Sequence, residues 1–79
     1  MKVLEVSSLD ELRVKIKAER KRQGLTQQQI SDKAYVAKRT VSTAETGKFV
    51  PQTAVLIDII RALGYDELRF KLRSDDENI

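Results

Sequence analysis

The side chains with the clearest chemical potential lie close together in the middle of the chain. Lys38 and Arg39 open a short predicted helix, and the hydroxyls of Ser42 and Thr43 follow one turn later. Cations near a helix N-terminus oppose the helix dipole, so their position there needs another reason. An arginine can donate two hydrogen bonds to a guanine edge, a lysine can approach it as a point donor, and hydroxyls can bond either type of base pair. Two cations at a helix start can also be ordinary solvated charges, so the rest of the sequence must decide.

The composition argues against catalysis and is compatible with a polyanionic partner. The 79 residues include no cysteine and no histidine, which removes disulfides, thiolate metal sites and the commonest metal ligand and general base. The formal charge is +3, from 15 basic and 12 acidic residues, but three of the acids, Asp75, Asp76 and Glu77, lie within the last five residues. The rest of the chain is therefore strongly basic, which suits nucleic acid and is also found on many soluble surfaces.

Two other classes of protein are disfavoured. The four aromatic residues are too few and too scattered for a platform that stacks single-stranded bases: Tyr35, Phe49, Tyr65 and Phe70. No apolar run approaches the roughly 18–20 residues of a membrane span, and the N-terminal residues do not resemble a signal peptide. We therefore expect a single cytoplasmic domain that is not an enzyme, has no membrane contact and needs no cofactor or metal.

Capping and stop signals divide the body of the chain into four helices. Ser8 and Glu11 have the spacing of a capping box, which predicts a helix that begins at Leu9 and buries a stripe continuing to Arg20. Thr26 is the predicted cap of a second helix, and glycines are the predicted stops. The predicted helices run from 9 to the stop at Gly24, then over 27–34, 38–46 and 53–63.

The tail after Gly64 alternates in character. Over 68–73, Leu68, Phe70 and Leu72 fall on one face of an extended strand and three cations on the other. A fifth helix would leave Phe70 away from the two leucines, so a strand is favoured. The first residues of the chain, about 3–6, are a candidate partner, although a two-stranded ribbon is marginal unless it packs on helices or on a second subunit.

The order of these signals resembles the helix-turn-helix family of phage repressors and xenobiotic response element regulators. The resemblance rests on the runs 24–30, 40–42, 45–47 and 59–64, and covers about residues 9–65. It implies an all-α, lambda-repressor-like domain of four to five short helices. The alternating tail is most similar to that of HipB-like antitoxins, which implies a C-terminal strand at a dimer interface. The chain would then be one DNA-binding domain, 1–79, with a helical body at 9–64, a strand at 68–73 and an acidic tail at 74–79.

The resemblance also assigns roles to individual residues. The second helix of the motif enters the major groove, while the first lies across the DNA backbone. The expected base contacts are Lys38, Arg39, Ser42 and Thr43, and the expected phosphate contacts are Thr26, Gln27, Gln28 and Lys48. Arg20 and Glu45 face inward on their helices and are expected to form a structural ion pair. The expected dimer interface consists of Leu68, Phe70 and Leu72.

Three positions depart from the family pattern. Tyr35 replaces a glycine at a turn position that often takes positive φ, Ala37 stands where a capping serine or threonine is common, and Ala44 replaces a larger apolar residue. The exact start of the recognition helix is therefore open. The sequence predicts a dimeric repressor of a palindromic operator in double-stranded DNA, and the alternative is an antitoxin that holds a partner toxin inactive and regulates its own operon.

Overall fold

The computed structural model describes residues 1–47 and 51–71. Within them the elements are β1 (Val3–Val6), α1 (Leu9–Arg22), α2 (Gln27–Ala34), α3 (Lys38–Thr46), α4 (Thr53–Ala62) and β2 (Glu67–Phe70). The predicted helices all form, and α4 ends one residue earlier than predicted. The predicted roles of Lys48 and Leu72, the last part of the predicted strand and the acidic tail fall outside the described residues.

The helices begin at residues that satisfy their first amides. The Ser8 hydroxyl accepts a hydrogen bond from the Glu11 amide at 3.1 Å, so α1 begins at Leu9 as predicted. The Glu11 carboxylate reaches back to the Ser7 amide at 2.7 Å rather than to that of Ser8, so the predicted capping box is displaced by one residue. At α2 the box is complete, because Thr26 and Gln29 each accept from the other's amide. Ala37, at the start of α3, supplies no side-chain cap.

The core lies where the four helices meet. Six side chains from these helices are buried almost completely: Leu12, Ile16, Ile30, Val41, Ile59 and Ile60. Ala44 is also fully buried, so the small residue at this position still contributes to the packing. Leu9, which the periodicity placed on the buried stripe, is exposed, so burial along α1 begins only at Leu12.

A two-stranded parallel sheet covers one side of the helices. β1 pairs with β2 so that Leu4 lies beside Leu68 and Val6 beside Phe70. Leu4 and Val6 are buried, and Leu68 is partly buried against the same core. The tail is therefore a strand rather than a fifth helix, its partner is the N-terminal segment of the same chain, and Leu68 is covered by its own subunit.

The two ends of the described chain are tied together next to the sheet. The Lys2 amide donates to the Asp66 carboxylate and the Asp66 amide donates to the Lys2 carbonyl, both at 2.7 Å. The Lys2 ammonium lies 4.5 Å from the centre of the Tyr65 ring and 3.7 Å from Glu19. A hydrogen bond from Arg22, followed by one from Gln23, lowers the pKa of Glu19 to about 2. These contacts hold the strands on the end of α1.

A buried ion pair connects α1 with α3. Arg20 donates to both oxygens of the Glu45 carboxylate, at 2.8 and 3.0 Å, and its third hydrogen bond reaches the Leu25 carbonyl at 2.8 Å. The two side chains are 10% and 1% exposed. The fork of the arginine thus meets a carboxylate in the planar, two-bond geometry that makes such contacts strong.

The turn between α2 and α3 is left-handed at Tyr35. This residue has φ +58° and ψ +40°, the backbone conformation for which related chains use glycine, and its side chain is 94% exposed. The tyrosine therefore pays the steric cost of its Cβ without burying its ring in return.

Replacing Glu45 with alanine is expected to destabilise the domain by about 3–5 kcal/mol, because the Arg20 charge would stay buried without its partner. Urea unfolding followed by circular dichroism measures this change. Asp10→Ala is the control, because it removes an exposed partner of Arg13 and should cost less than about 1 kcal/mol. A Glu45→Ala variant that unfolds at the parental urea concentration but no longer binds duplex DNA would assign the pair to recognition instead.

Replacing Tyr35 with glycine is expected to stabilise the domain by up to about 1 kcal/mol, because glycine adopts the left-handed conformation without a steric penalty. In a domain of this size, that corresponds to a rise in melting temperature of about 4–8 °C. Lys33→Gly is the matched control, since it places a glycine inside α2 and should lower stability by about 1 kcal/mol. Melting of Tyr35→Gly below the parent would mean that the exposed ring contributes more than the backbone costs.

Candidate nucleic-acid interface

The helix α3 has a buried face and an exposed face. Val41 and Ala44 are fully buried, and Glu45 turns inward to Arg20. Because an α-helix has 3.6 residues per turn, the opposite face carries Arg39, Thr43 and Thr46. The exposed face is therefore formed by residues spaced four and seven positions from the first-turn arginine.

The four predicted base-contacting residues are distributed unequally on this helix. Arg39 and Thr43 lie near the centre of the exposed face, whereas Lys38 and Ser42 lie toward one flank of it. Lys38 and Arg39 are exposed, and Ser42 and Thr43 are partly buried. Thr46 is exposed on the same face and was missed by the sequence prediction; its spacing of seven residues from Arg39 was the available signal.

Lys38 and Arg39 carry charges that the described part of the protein does not neutralise. Neither side chain forms a salt bridge with another described residue, whereas Arg13, Arg20 and Arg22 each do. Both lie in the first turn of α3, where the helix dipole repels a cation. An anionic partner would remove this unfavourable interaction.

The start of α2 offers a second set of polar groups. The Thr26 hydroxyl accepts the Gln29 amide at 3.1 Å, so its own proton is free to be donated outward. The first amides of a helix have no partner within it, and together with the dipole they attract an anion. Thr26 therefore combines a cap with a donor that suits a phosphate oxygen.

The two glutamines that follow Thr26 are engaged within the protein. Gln27 donates to the Glu45 carboxylate at 3.3 Å, which leaves one of its two amide hydrogens available. Gln28 donates both, to the Ser31 hydroxyl at 3.1 Å and the Asp32 carboxylate at 2.9 Å. A phosphate contact from the Gln28 side chain would have to replace one of these bonds, whereas Gln27 could add a contact to the bond it already makes.

Two other kinds of site are not found in residues 1–47 and 51–71. These ranges bring together no group of histidine, cysteine, aspartate and glutamate side chains suited to a metal ion. None of the helices there is long and apolar enough to cross a membrane. The polar surface around α2 and α3 is thus the site with the most developed chemistry in the described chain.

Comparison with known proteins agrees with this geometry. The model of a family described as helix-turn-helix matches residues 16–70, which is more than half of the chain and includes all of α2, α3 and α4. No curated protein and no solved structure matches the chain. The segment before the match contains β1 and the first half of α1. The protein belongs to the helix-turn-helix family of the XRE and Cro type, whose members are DNA-binding transcription regulators.

Proposed function

We propose that this protein is a cytoplasmic repressor that binds a palindromic operator in double-stranded DNA as a homodimer. The observation that carries the proposal is the exposed face of α3, where Arg39 and Lys38 stand without a neutralising partner among the described residues. The donor groups at the start of α2 supply the second half of a DNA contact. Repression follows if the bound dimer covers a promoter.

The two helices would divide the work of binding. Arg39 would donate two hydrogen bonds to a guanine in the major groove, with Lys38, Ser42 and Thr43 on neighbouring base edges. Thr26 and Gln27, together with Gln28 and Lys48, would contact phosphates, which fix the register of the protein but carry no sequence information. The two copies of α3 would lie about 34 Å apart, one turn of the DNA helix.

The open edge of β2 is the surface that we propose for dimerisation. The Lys2 and Val6 carbonyls face β2, so the Glu5 carbonyl between them faces the other way, and Lys15 donates to it at 3.0 Å. Lys15 thereby occupies an acceptor on the outer edge of β1. The outer edge of β2 carries Glu67 and Arg69, which pair with each other within the strand at 3.1 Å.

A second copy fits this edge by charge. If two β2 strands pair antiparallel about a two-fold axis at Leu68, Glu67 of each copy lies opposite Arg69 of the other. The same arrangement would bring a second subunit toward Phe70, which is 52% exposed in one copy. The predicted interface of Leu68, Phe70 and Leu72 is thereby narrowed, because Leu68 already packs on its own core.

The alternative function, an antitoxin, would keep the same DNA-binding face and add a protein partner. The alternating tail that suggests it from the sequence is the strand β2 in the structure. Co-purification of a stoichiometric toxin encoded beside this gene would favour it, and growth that is unaffected by deletion of the gene would argue against it.

Arg39→Ala is expected to weaken operator binding and to flatten the preference at one base pair in each half-site, because a bidentate contact to guanine discriminates by about 1–3 kcal/mol. Lys48→Ala should instead weaken all duplexes about equally and reduce the dependence of affinity on salt by about one counterion per subunit. Titrations of single-base operator variants at several salt concentrations measure both effects. Equal, sequence-independent losses for the two variants would remove Arg39 as a base reader.

Reversing one charge on β2 is expected to separate the dimer. Glu67→Arg places two arginines opposite each other across the proposed interface, and the double change Glu67→Arg with Arg69→Glu restores opposite charges. Sedimentation should therefore show a shift toward monomer for the single variant and recovery for the double variant. Asp58→Arg, an equal charge change on α4, is the control. A single variant that remains dimeric at the parental concentration would place the interface elsewhere.

A further inference from the structure

We propose that Thr43 selects an A·T base pair in each half-site, next to the guanine contacted by Arg39. The proposal rests on the DNA-binding function above and assigns a base preference to one side chain of the same helix. Its basis is a hydroxyl that can only accept a hydrogen bond toward DNA, with a methyl group beside it.

The direction of one hydrogen bond fixes the chemistry of Thr43. Its Oγ1 lies 2.8 Å from the Arg39 carbonyl oxygen one turn earlier. A carbonyl has no proton to give, so the threonine hydroxyl must be the donor. A hydroxyl has one proton and two lone pairs, and the proton of Thr43 is used within the helix. Toward the exposed side, the oxygen therefore offers lone pairs only.

Thr26 shows that this property belongs to the position and not to the residue type. The Thr26 hydroxyl accepts the Gln29 amide, and so its proton remains available. Thr26 can donate to a phosphate oxygen, whereas Thr43 can donate only by giving up its bond to Arg39. The same side chain is thus a phosphate donor at the start of α2 and a base acceptor in the middle of α3.

The major groove presents one base pair that fits an acceptor with a methyl group. An A·T pair offers the adenine N6 amino group, which donates, and the thymine methyl, which is apolar. A G·C pair offers the cytosine amino group but no methyl, and guanine adds two acceptors, N7 and O6. These acceptors repel an oxygen that has no proton to share. Thr43 therefore favours A·T over G·C.

Arg39 supplies the complementary half of the pattern. Its guanidinium has five donors and no acceptor, so it fits the N7 and O6 of guanine. Thr43 lies one helical turn further along the same exposed face. The face of α3 is consequently donor-only in its first turn and acceptor-only in its second, which predicts a G·C pair and an A·T pair in a fixed order within each half-site.

The experiment compares the parent with three variants on a panel of duplexes in which every operator base pair is changed. Thr43→Val keeps the branched shape and removes the oxygen, Thr43→Ser keeps the oxygen and removes the methyl, and Thr53→Val makes the same chemical change on α4. The parent should prefer A·T at one position of each half-site on the order of tenfold. Thr43→Val should lose most of that preference at that position only, Thr43→Ser should keep most of it, and Thr53→Val should match the parent.

Other results would overturn the proposal. It fails if the base preferences of Thr43→Val equal those of the parent, if Thr43→Ser loses as much as Thr43→Val, or if the affected position prefers G·C. Thermal melting of each variant establishes that the domain is folded under the binding conditions. A parent that binds all duplexes equally would reject sequence-specific recognition as a whole, whereas a specific parent with an unchanged Thr43→Val variant would reject only the role of Thr43.

Discussion

The buried ion pair between Arg20 and Glu45 determines how α3 is oriented, and every group proposed to face DNA depends on that orientation. The helix has nine residues, and Ala37 gives it no side-chain cap. Its buried apolar residues, Val41 and Ala44, are small and restrict rotation weakly. The two-bond contact with Arg20 adds a directional restraint, because any rotation of α3 would leave a buried charge without its partner.

The same carboxylate also connects the two helices of the motif. Gln27 at the start of α2 donates to Glu45, and Arg20 carries the connection on to the Leu25 carbonyl just before α2. The phosphate-facing end of α2 and the base-facing side of α3 are therefore positioned relative to one buried group. Its role is structural, but its loss would displace both halves of the interface, so stability and recognition must be measured separately in its variants.

Local signals in the sequence were sufficient for most of the helix boundaries. Capping by Ser8 and Thr26 and the glycine at 47 act over three or four residues, and the structure has α1, α2 and α3 where these signals predict them. The side-chain hydrogen bonds were less predictable, because they depend on tertiary neighbours. The displacement of Glu11 to the Ser7 amide and the double engagement of Gln28 are examples. The partnership of β1 with β2 was foreseen only as one option, since it joins segments more than sixty residues apart.

The parallel sheet also bears on why an assembly through β2 would stop at two subunits. A strand edge that pairs with another chain can continue to add strands unless the far edge is protected. Here β1 lies on the far side of β2, and Lys15 holds the Glu5 carbonyl on its outer edge. Pairing of two β2 edges would place a β1 strand, protected in this way, at each end of a four-stranded sheet. The two-fold arrangement uses the same edge on both subunits, so it closes after one contact, as a protein that must present two recognition helices at a fixed spacing requires.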